Sequence, residues 1–160
     1  MMMQRASHIR PAGHWPREAA VGVVTLAYDD RHRRRLRLTT DEKGESFLLD
    51  LDRAVLLQEG DGLQLDDGSW IGVSAAPEDV VDVYGGTAQA TARLAWHLGN
   101  RHLPVQILDS GAIRFRYDHV IEAMIQGLGG NTTRKLAPFS PESGAYDSAG
   151  HHHGYGAAHE

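Results

Sequence analysis

The sequence predicts an α+β protein with an N-terminal all-β domain, a ferredoxin-like β-α-β-β-α-β domain and a disordered tail that contains histidines. Short runs rich in β-branched residues, separated by Asp/Gly turns, continue up to about residue 76. Two helical patterns, each flanked by strand patterns, follow between residues 79 and 138. We therefore expect four segments: an irregular lead-in over 1–18, the all-β domain over 19–76, the ferredoxin-like domain over 77–146 and the tail over 147–160.

The all-β domain is predicted from short strand patterns at near-regular intervals. Residues 1–18 show neither a two-residue nor a 3.6-residue hydrophobic period, which predicts the irregular lead-in. Residues 20–28 form a β-branched run that ends at an Asp-Asp turn, and residues 46–49 form a second apolar run. Residues 63–73 predict a hairpin that turns at Asp67-Gly68. Such spacing is typical of a small sandwich or barrel.

An arginine-rich strand is predicted between these elements. Arg33, Arg35 and Arg37 alternate with Arg34, Leu36 and Leu38, which places three guanidinium groups on one face. One interpretation is a half-exposed strand with a charged outer face. The other is a binding patch for an anion or an acidic partner, which the chain's negative balance makes the less favoured of the two.

The ferredoxin-like domain is predicted from the order of its elements. A strand over 80–84 leads to a helix over 88–98 that Thr87 can cap. Strands over 105–108 and 112–117 follow, and Asp118 then caps a second helix that ends at Gly129-Gly130. A last strand over 132–138 completes the β-α-β-β-α-β order. Residues 138–146 are expected to leave the domain as an extended segment.

Composition excludes several classes of protein and of site. The 160 residues carry 16 Lys and Arg against 21 Asp and Glu, so no global basic surface for nucleic acid or an anionic membrane is expected. Cysteine is absent, which excludes disulfides and thiolate metal sites and leaves His, Asp and Glu as ligands for a transition metal. No apolar run approaches the roughly 20 residues that span a bilayer, and the N-terminus lacks the apolar core of a signal peptide, so we expect a cytoplasmic protein without membrane attachment.

Histidines are therefore the candidate metal ligands. His102 lies at a corner where Gly99 and Asn100 are expected to supply the left-handed backbone that ends the first helix. His119 follows Asp118, and this pair forms either a second metal site or a helix cap with an exposed neighbour. Four further imidazoles, which suit Ni(II), Zn(II) or Cu(II), lie in the tail at His151, His152, His153 and His159.

Catalytic signatures are absent from the sequence. There is no Gly-x-Ser-x-Gly elbow, no His-Glu-x-x-His helix, no phosphate-cradling loop and no dinucleotide fingerprint. We therefore expect a protein that is not an enzyme.

Three motifs in order resemble the UreE family of urease accessory nickel metallochaperones. These are Gly-Asn-Arg-His-Leu-Pro-Val-Gln-Ile at 99–107, Tyr-Asp-His-Val at 117–120 and Pro-Phe-Ser-Pro-Glu-Ser-Gly-Ala-Tyr at 138–146, followed by the histidine-bearing tail. The similarity extends more weakly into the first domain, through the arginine strand and residues 56–61.

The resemblance implies a homodimer in which His102 of each subunit meets at the twofold axis and shares one Ni(II). It further implies that nickel is cargo destined for apo-urease, delivered with the help of urease accessory proteins that include a GTPase, and that the first domain docks to partner proteins. Some relatives carry a second metal-site histidine where this chain has Tyr117. Pairing of dimers into tetramers and the choice among nickel, zinc and copper stay open.

Two alternatives to delivery remain at this point. A storage or buffering protein would depend on the tail histidines alone. An RNA-binding module would use a ferredoxin-like sheet with exposed aromatic residues, for which Phe115 and Tyr117 alternate on one face.

Overall fold

The computed structural model describes residues 2–143, and these fall into two compact units that divide between Ala76 and Pro77. The predicted tail over 147–160 lies outside the described residues. None of the helices in the described part of the chain is long and apolar enough to cross a membrane. The α+β class and the order of an all-β part followed by a ferredoxin-like part are confirmed.

The first unit is a six-stranded sheet in the order β2-β6-β5-β1-β4-β3. Its strands are β1 Arg5–Arg10, β2 Ala20–Leu26, β3 Arg35–Thr39, β4 Ser46–Asp50, β5 Gly62–Leu65 and β6 Trp70–Ala75. A 3-10 turn, Arg17–Ala19, precedes β2, and the short helix α1, Tyr28–Arg31, occupies the place of the expected Asp-Asp turn. The core includes Val24, Phe47, Leu49 and Leu63, which are almost fully buried.

The prediction of an irregular lead-in over 1–18 is wrong. Strand β1 lies inside the sheet, parallel to β4 on one side and antiparallel to β5 on the other. Its hydrophobic pattern is obscured because the register shifts between Ala6 and His8, so that the buried Ala6 and the half-buried Ile9 are three residues apart. Strands β4 and β5 supply the hydrogen bonds of β1, and this pairing with distant parts of the chain cannot be read from the local sequence.

Trp15, also in the predicted lead-in, packs on the sheet. Its ring stacks on Trp70 at 5.5 Å between centroids, and its indole nitrogen donates a hydrogen bond to the carbonyl of Gly60 at 2.9 Å. A Cβ atom at Gly62 would lie 2.4 Å from this ring, so the close approach of the indole requires glycine there.

The second unit has the predicted β-α-β-β-α-β order. Its elements are β7 Pro77–Tyr84, α2 Ala88–Asn100, β8 Gln106–Ile107, β9 Ile113–Arg116, α3 His119–Gly127 and β10 Asn131–Pro138. The strands pair in the order β10-β7-β9-β8, and each pairing is antiparallel. Alternate residues of β7 and β9, such as Val81, Val83 and Phe115, bury one face of the sheet together with the apolar sides of both helices.

The opposite face of this sheet carries an ion-pair network. Asp82 accepts hydrogen bonds from Arg114 at 2.7 and 2.9 Å, and the Lys135 ammonium lies 3.2 Å from the same carboxylate. Partial burial alone would raise the pKa of Asp82, but the hydrogen bonds and charges of Arg114 and Lys135 hold that pKa below its ordinary value.

Candidate metal centre

Helix α2 positions the first candidate ligand, His102, just beyond its C-terminus. The helix begins where the Thr87 side chain accepts a hydrogen bond from the Ala90 amide at 3.0 Å, and buried Leu94 and Leu98 anchor it to the sheet. At the other end the Arg101 amide donates to the Leu98 carbonyl at 3.1 Å, and Pro104 prevents further helical turns.

His102 itself carries the left-handed backbone at this corner. Its φ is +57°, and it is the one non-glycine residue with positive φ in the described part of the chain. The expectation that Gly99 and Asn100 would adopt this conformation is wrong, because both residues complete helix α2. The imidazole is solvent-exposed. A left-handed histidine is strained by its Cβ atom, and such strain commonly marks a functional position.

Exposed apolar side chains precede and follow this corner in the chain. Trp96 on α2 is 64% exposed and Ile107 on β8 is 57% exposed. Between α2 and the β8 edge runs a groove of about 390 Å³ lined by residues that include Tyr84, Ala92 and Ala95. An apolar groove with an exposed Ile107 at its wall offers surface for contact with another protein.

The segment after β10 forms a strap, residues 139–143, across the face of the sheet opposite the helices. The strap begins where Arg114 donates to the Pro138 carbonyl at 2.9 Å, and the Phe139 ring is fully buried beneath the Arg116 guanidinium. The Ser140 amide then donates to the Gln106 side chain at 2.9 Å. The strap therefore passes from β10 over β9 to the β8 edge.

The strap bonds to the β8 edge at Val105, three residues after His102 in the chain. The Glu142 amide donates to the Val105 carbonyl at 2.7 Å, and the Glu142 carboxylate accepts from the Ile107 amide at 3.1 Å. The sequence predicts that residues 138–146 leave the domain, and it gives no sign that Glu142 and Gln106 bond the strap to the β8 edge. The one sequence feature that indicates anchoring is Phe139, a large apolar side chain between Pro138 and Pro141 that would be unfavourable in a fully solvated segment.

The second predicted pair, Asp118 and His119, lies at the start of α3. One Asp118 carboxylate oxygen accepts hydrogen bonds from the Val120 amide at 2.9 Å and the Ile121 amide at 3.1 Å, so this side chain caps the helix. His119 is the first helical residue and is solvent-exposed. A carboxylate engaged in a cap retains a second oxygen for a cation.

Tyr117 is engaged by neighbouring side chains. The Arg134 guanidinium lies 3.6 Å from the centre of the Tyr117 ring and is held by Asp79 through bonds of 2.8 and 3.0 Å. The hydrogen bond from Arg134 lowers the pKa of Asp79, and the same bond raises the pKa of Arg134. This arrangement packs the tyrosine as a structural residue.

Within residues 2–143, no three His, Asp or Glu side chains converge on a position that could hold a metal ion. His102 and the Asp118–His119 pair therefore remain separate in one chain. The other predicted ligands, His151, His152, His153 and His159, lie outside the described residues.

Comparisons with known proteins agree with this architecture. Residues 4–76 match the model of the UreE urease accessory protein N-terminal domain, and residues 78–160 match that of the C-terminal domain. A urease accessory protein UreE from Rhodopseudomonas palustris (strain HaA2) is 52% identical over 157 residues, covering 98% of this chain and 70% of the relative. One from Bradyrhizobium sp. (strain ORS 278) is 49% identical over 152 residues, covering 95% and 71%, and one from Rhodobacter capsulatus is 43% identical over 156 residues, covering 96% and 95%. The resemblance read from three short motifs thus extends over both domains, and the chain belongs to the UreE urease accessory protein family.

Proposed function

We propose that this chain is a nickel-binding metallochaperone that delivers Ni(II) to apo-urease during assembly of the urease active site. UreE is a family of accessory chaperones and not of enzymes, in agreement with the absence of catalytic motifs from the sequence. The observation that carries the proposal is the exposed, left-handed His102, which lies three residues before the Val105 carbonyl to which the strap bonds.

The site is completed by a second copy of the chain. One imidazole binds a nickel ion only weakly, and the described residues offer no cluster of three ligands. The exposed Trp96 and Ile107, and the groove that Ile107 lines together with Ala92 and Ala95, supply apolar surface for a homodimer contact. A twofold axis through that contact brings two His102 side chains to one ion, because an isologous interface pairs each residue near the axis with its own copy.

Histidines of the tail supply the remaining ligands. His151 follows Glu142 by nine residues, a reach of at most about 30 Å, and Glu142 is bonded to Val105, on the segment that follows His102. Two imidazoles at a dimer interface leave coordination positions open, which tail imidazoles can fill and vacate, so that the metal is held and then passed on. Asp118 and His119 are the candidates for a further binding position.

The partners follow from the delivery role. We propose that the homodimer, alone or paired as a tetramer, works in the cytoplasm with apo-urease and the urease accessory proteins, including the accessory GTPase. Zn(II) and Cu(II) also bind imidazole, so metal preference depends on geometry and supply. Affinity for nickel should fall in acid, because each imidazole must lose its proton to bind metal.

Calorimetric titration with Ni(II) tests the proposal on the full chain, on His102→Ala and on a chain truncated after Ser143. His97→Ala, from the last turn of the same helix, is the matched control. We expect His102→Ala to lose the tightest site, at one ion per dimer, while the truncated chain keeps that site but binds fewer ions in total. An unchanged tight site in His102→Ala, together with loss of all binding on truncation, would support a storage protein that depends on the tail.

A further inference from the structure

Arg101, the residue between helix α2 and His102, carries a positive charge that no Asp or Glu within residues 2–143 pairs with. Its amide closes the end of α2, and its side chain is exposed. The Arg101 Nε atom donates a hydrogen bond to the Met124 sulfur on α3 at 2.8 Å. A thioether is a weak and uncharged acceptor, so this contact positions the guanidinium and leaves its charge in place.

The acidic groups of the second unit that lie near α3 are directed at a different arginine. Arg134 pairs with Asp79 at 2.8 Å. The hydrogen bond from Asp79 contributes most to the raised pKa of Arg134, and the charge of Glu122 on α3 adds to it. Glu122 precedes Met124 by two residues and is therefore about 200° around the helix from it. Neutralisation thus takes place on one side of α3, while Arg101 lies on the other.

The guanidinium of Arg101 is necessarily close to any metal ion held by His102. Consecutive Cα atoms are about 3.8 Å apart, so two extended side chains place the ion at most roughly 17 Å from the guanidinium. At roughly 10–17 Å a unit charge repels a divalent ion in water enough to lower its affinity about two- to fourfold in low salt. Two such charges would lower the affinity roughly tenfold.

We propose that Arg101 weakens the binding of nickel at His102 and thereby speeds its release, an inference that rests on the proposed function. An ion shared on the twofold axis would be repelled by two guanidinium groups, one from each copy. A storage site benefits from tight retention, whereas a delivery site must release its ion to the next protein. The uncompensated arginine suits the second kind of site.

Nickel affinity and nickel release, compared between the full chain and Arg101→Gln, test the proposal. Competition with a chromophoric chelator gives the affinity, and stopped-flow transfer to excess EDTA gives the release rate. Both are measured at about pH 8, where imidazole is neutral, so that charge repulsion acts without a change in protonation. We expect the glutamine variant to bind nickel at the tight site roughly tenfold more strongly in low salt and to release it correspondingly more slowly.

Salt and two control variants identify the charge as the cause. At about 0.5 M salt the Debye length is about 4 Å, so the parent and Arg101→Gln should agree within about twofold. Arg101→Lys keeps the charge and should stay within about twofold of the parent at both salt concentrations. Arg93→Gln makes the same change in net charge at an exposed position roughly 12 Å farther along the axis of α2, and it should strengthen binding by less than about twofold.

A purely structural role for Arg101 gives a different result. A cation at the C-terminus of α2 stabilises the helix through its dipole, which affects stability and leaves nickel affinity unchanged. Unchanged or weaker nickel binding by Arg101→Gln would therefore overturn the proposal, as would a gain that persists in high salt or an equal gain in Arg93→Gln.

His102→Ala in the same assay distinguishes this failure from failure of the proposed function. A tight site that is lost in His102→Ala but is unaffected by Arg101→Gln overturns the inference about Arg101 alone. A tight site that survives in His102→Ala overturns both.

Discussion

Substitutions at His102 distinguish the destabilisation caused by its left-handed backbone from its contribution to nickel binding. His102 has φ of +57°, a conformation that costs an L-residue roughly 1–2 kcal/mol because Cβ crowds the following carbonyl. Glycine avoids this crowding but loses about 0.5–1 kcal/mol more backbone entropy on folding. We therefore expect His102→Gly to exceed His102→Ala in free energy of unfolding by about 0.5–1 kcal/mol.

Urea denaturation in the presence of a chelator measures this difference without a contribution from metal, and one fixed protein concentration for both variants holds any contribution from association of copies to the same mass-action term. In thermal melts the same difference corresponds to about 2–8 °C in Tm for a domain of this size. Both variants should lose the tight nickel site equally, since each lacks the imidazole. A more stable protein that no longer binds nickel would indicate that the strain at this corner is retained for function.

His97 provides a control with the opposite sign. It lies within α2, where glycine is about 0.8–1 kcal/mol worse than alanine, so His97→Gly should be less stable than His97→Ala. Equal stabilities of the glycine and alanine variants at position 102, beside the expected loss at position 97, would refute the left-handed assignment and the interpretation of strain built on it.

Three further predictions concern the surrounding structure. Because the pKa of Asp82 is lowered in the folded protein, its contribution to stability is complete above the unfolded-state pKa of about 3.9 and is lost as pH falls through the lower folded value. The substitution Asp82→Asn should therefore lower the free energy of unfolding by about 1–3 kcal/mol at neutral pH and flatten the acid limb of a stability–pH curve. Gly62→Ala should cost about 1–3 kcal/mol in chemical denaturation because its Cβ meets the Trp15 ring, whereas Gly127→Ala, with open space around it, should leave stability unchanged or raise it by up to about 1 kcal/mol. Asp118→Ser should keep the helix cap while Asp118→Ala loses about 1 kcal/mol; full nickel stoichiometry in the serine variant would show that Asp118 is a cap and not a ligand.

The second domain could be predicted well because its elements carry strong local patterns. Val81, Val83 and Phe115 alternate as half-buried strands do, and Thr87 and Asp118 begin helices whose caps the structure contains. Each of these indications depends on residues a few positions apart. The order of elements followed from them without information about distant contacts.

Features that depend on distant contacts could not be predicted. Strand β1 has only Ala6 and Ile9 as apolar residues and is held by β4 and β5. The strap has no periodicity, because single side chains such as Phe139 anchor it. The positive φ of His102 is equally invisible in a sequence where glycine and asparagine, the usual left-handed residues, lie two and three positions before it.

The anchoring of Glu142 at Val105 also sets a local concentration. An imidazole that begins nine residues after the anchor is confined to a sphere of about 30 Å radius, which corresponds to a concentration on the order of 10 mM around this edge. In the proposed site, coordination by such an imidazole would be effectively intramolecular, so that an imidazole that lets go of the metal rebinds it before the metal leaves. Freeing the strap by Glu142→Ala or Phe139→Ala should therefore weaken retention of nickel even though neither side chain is proposed to touch the metal.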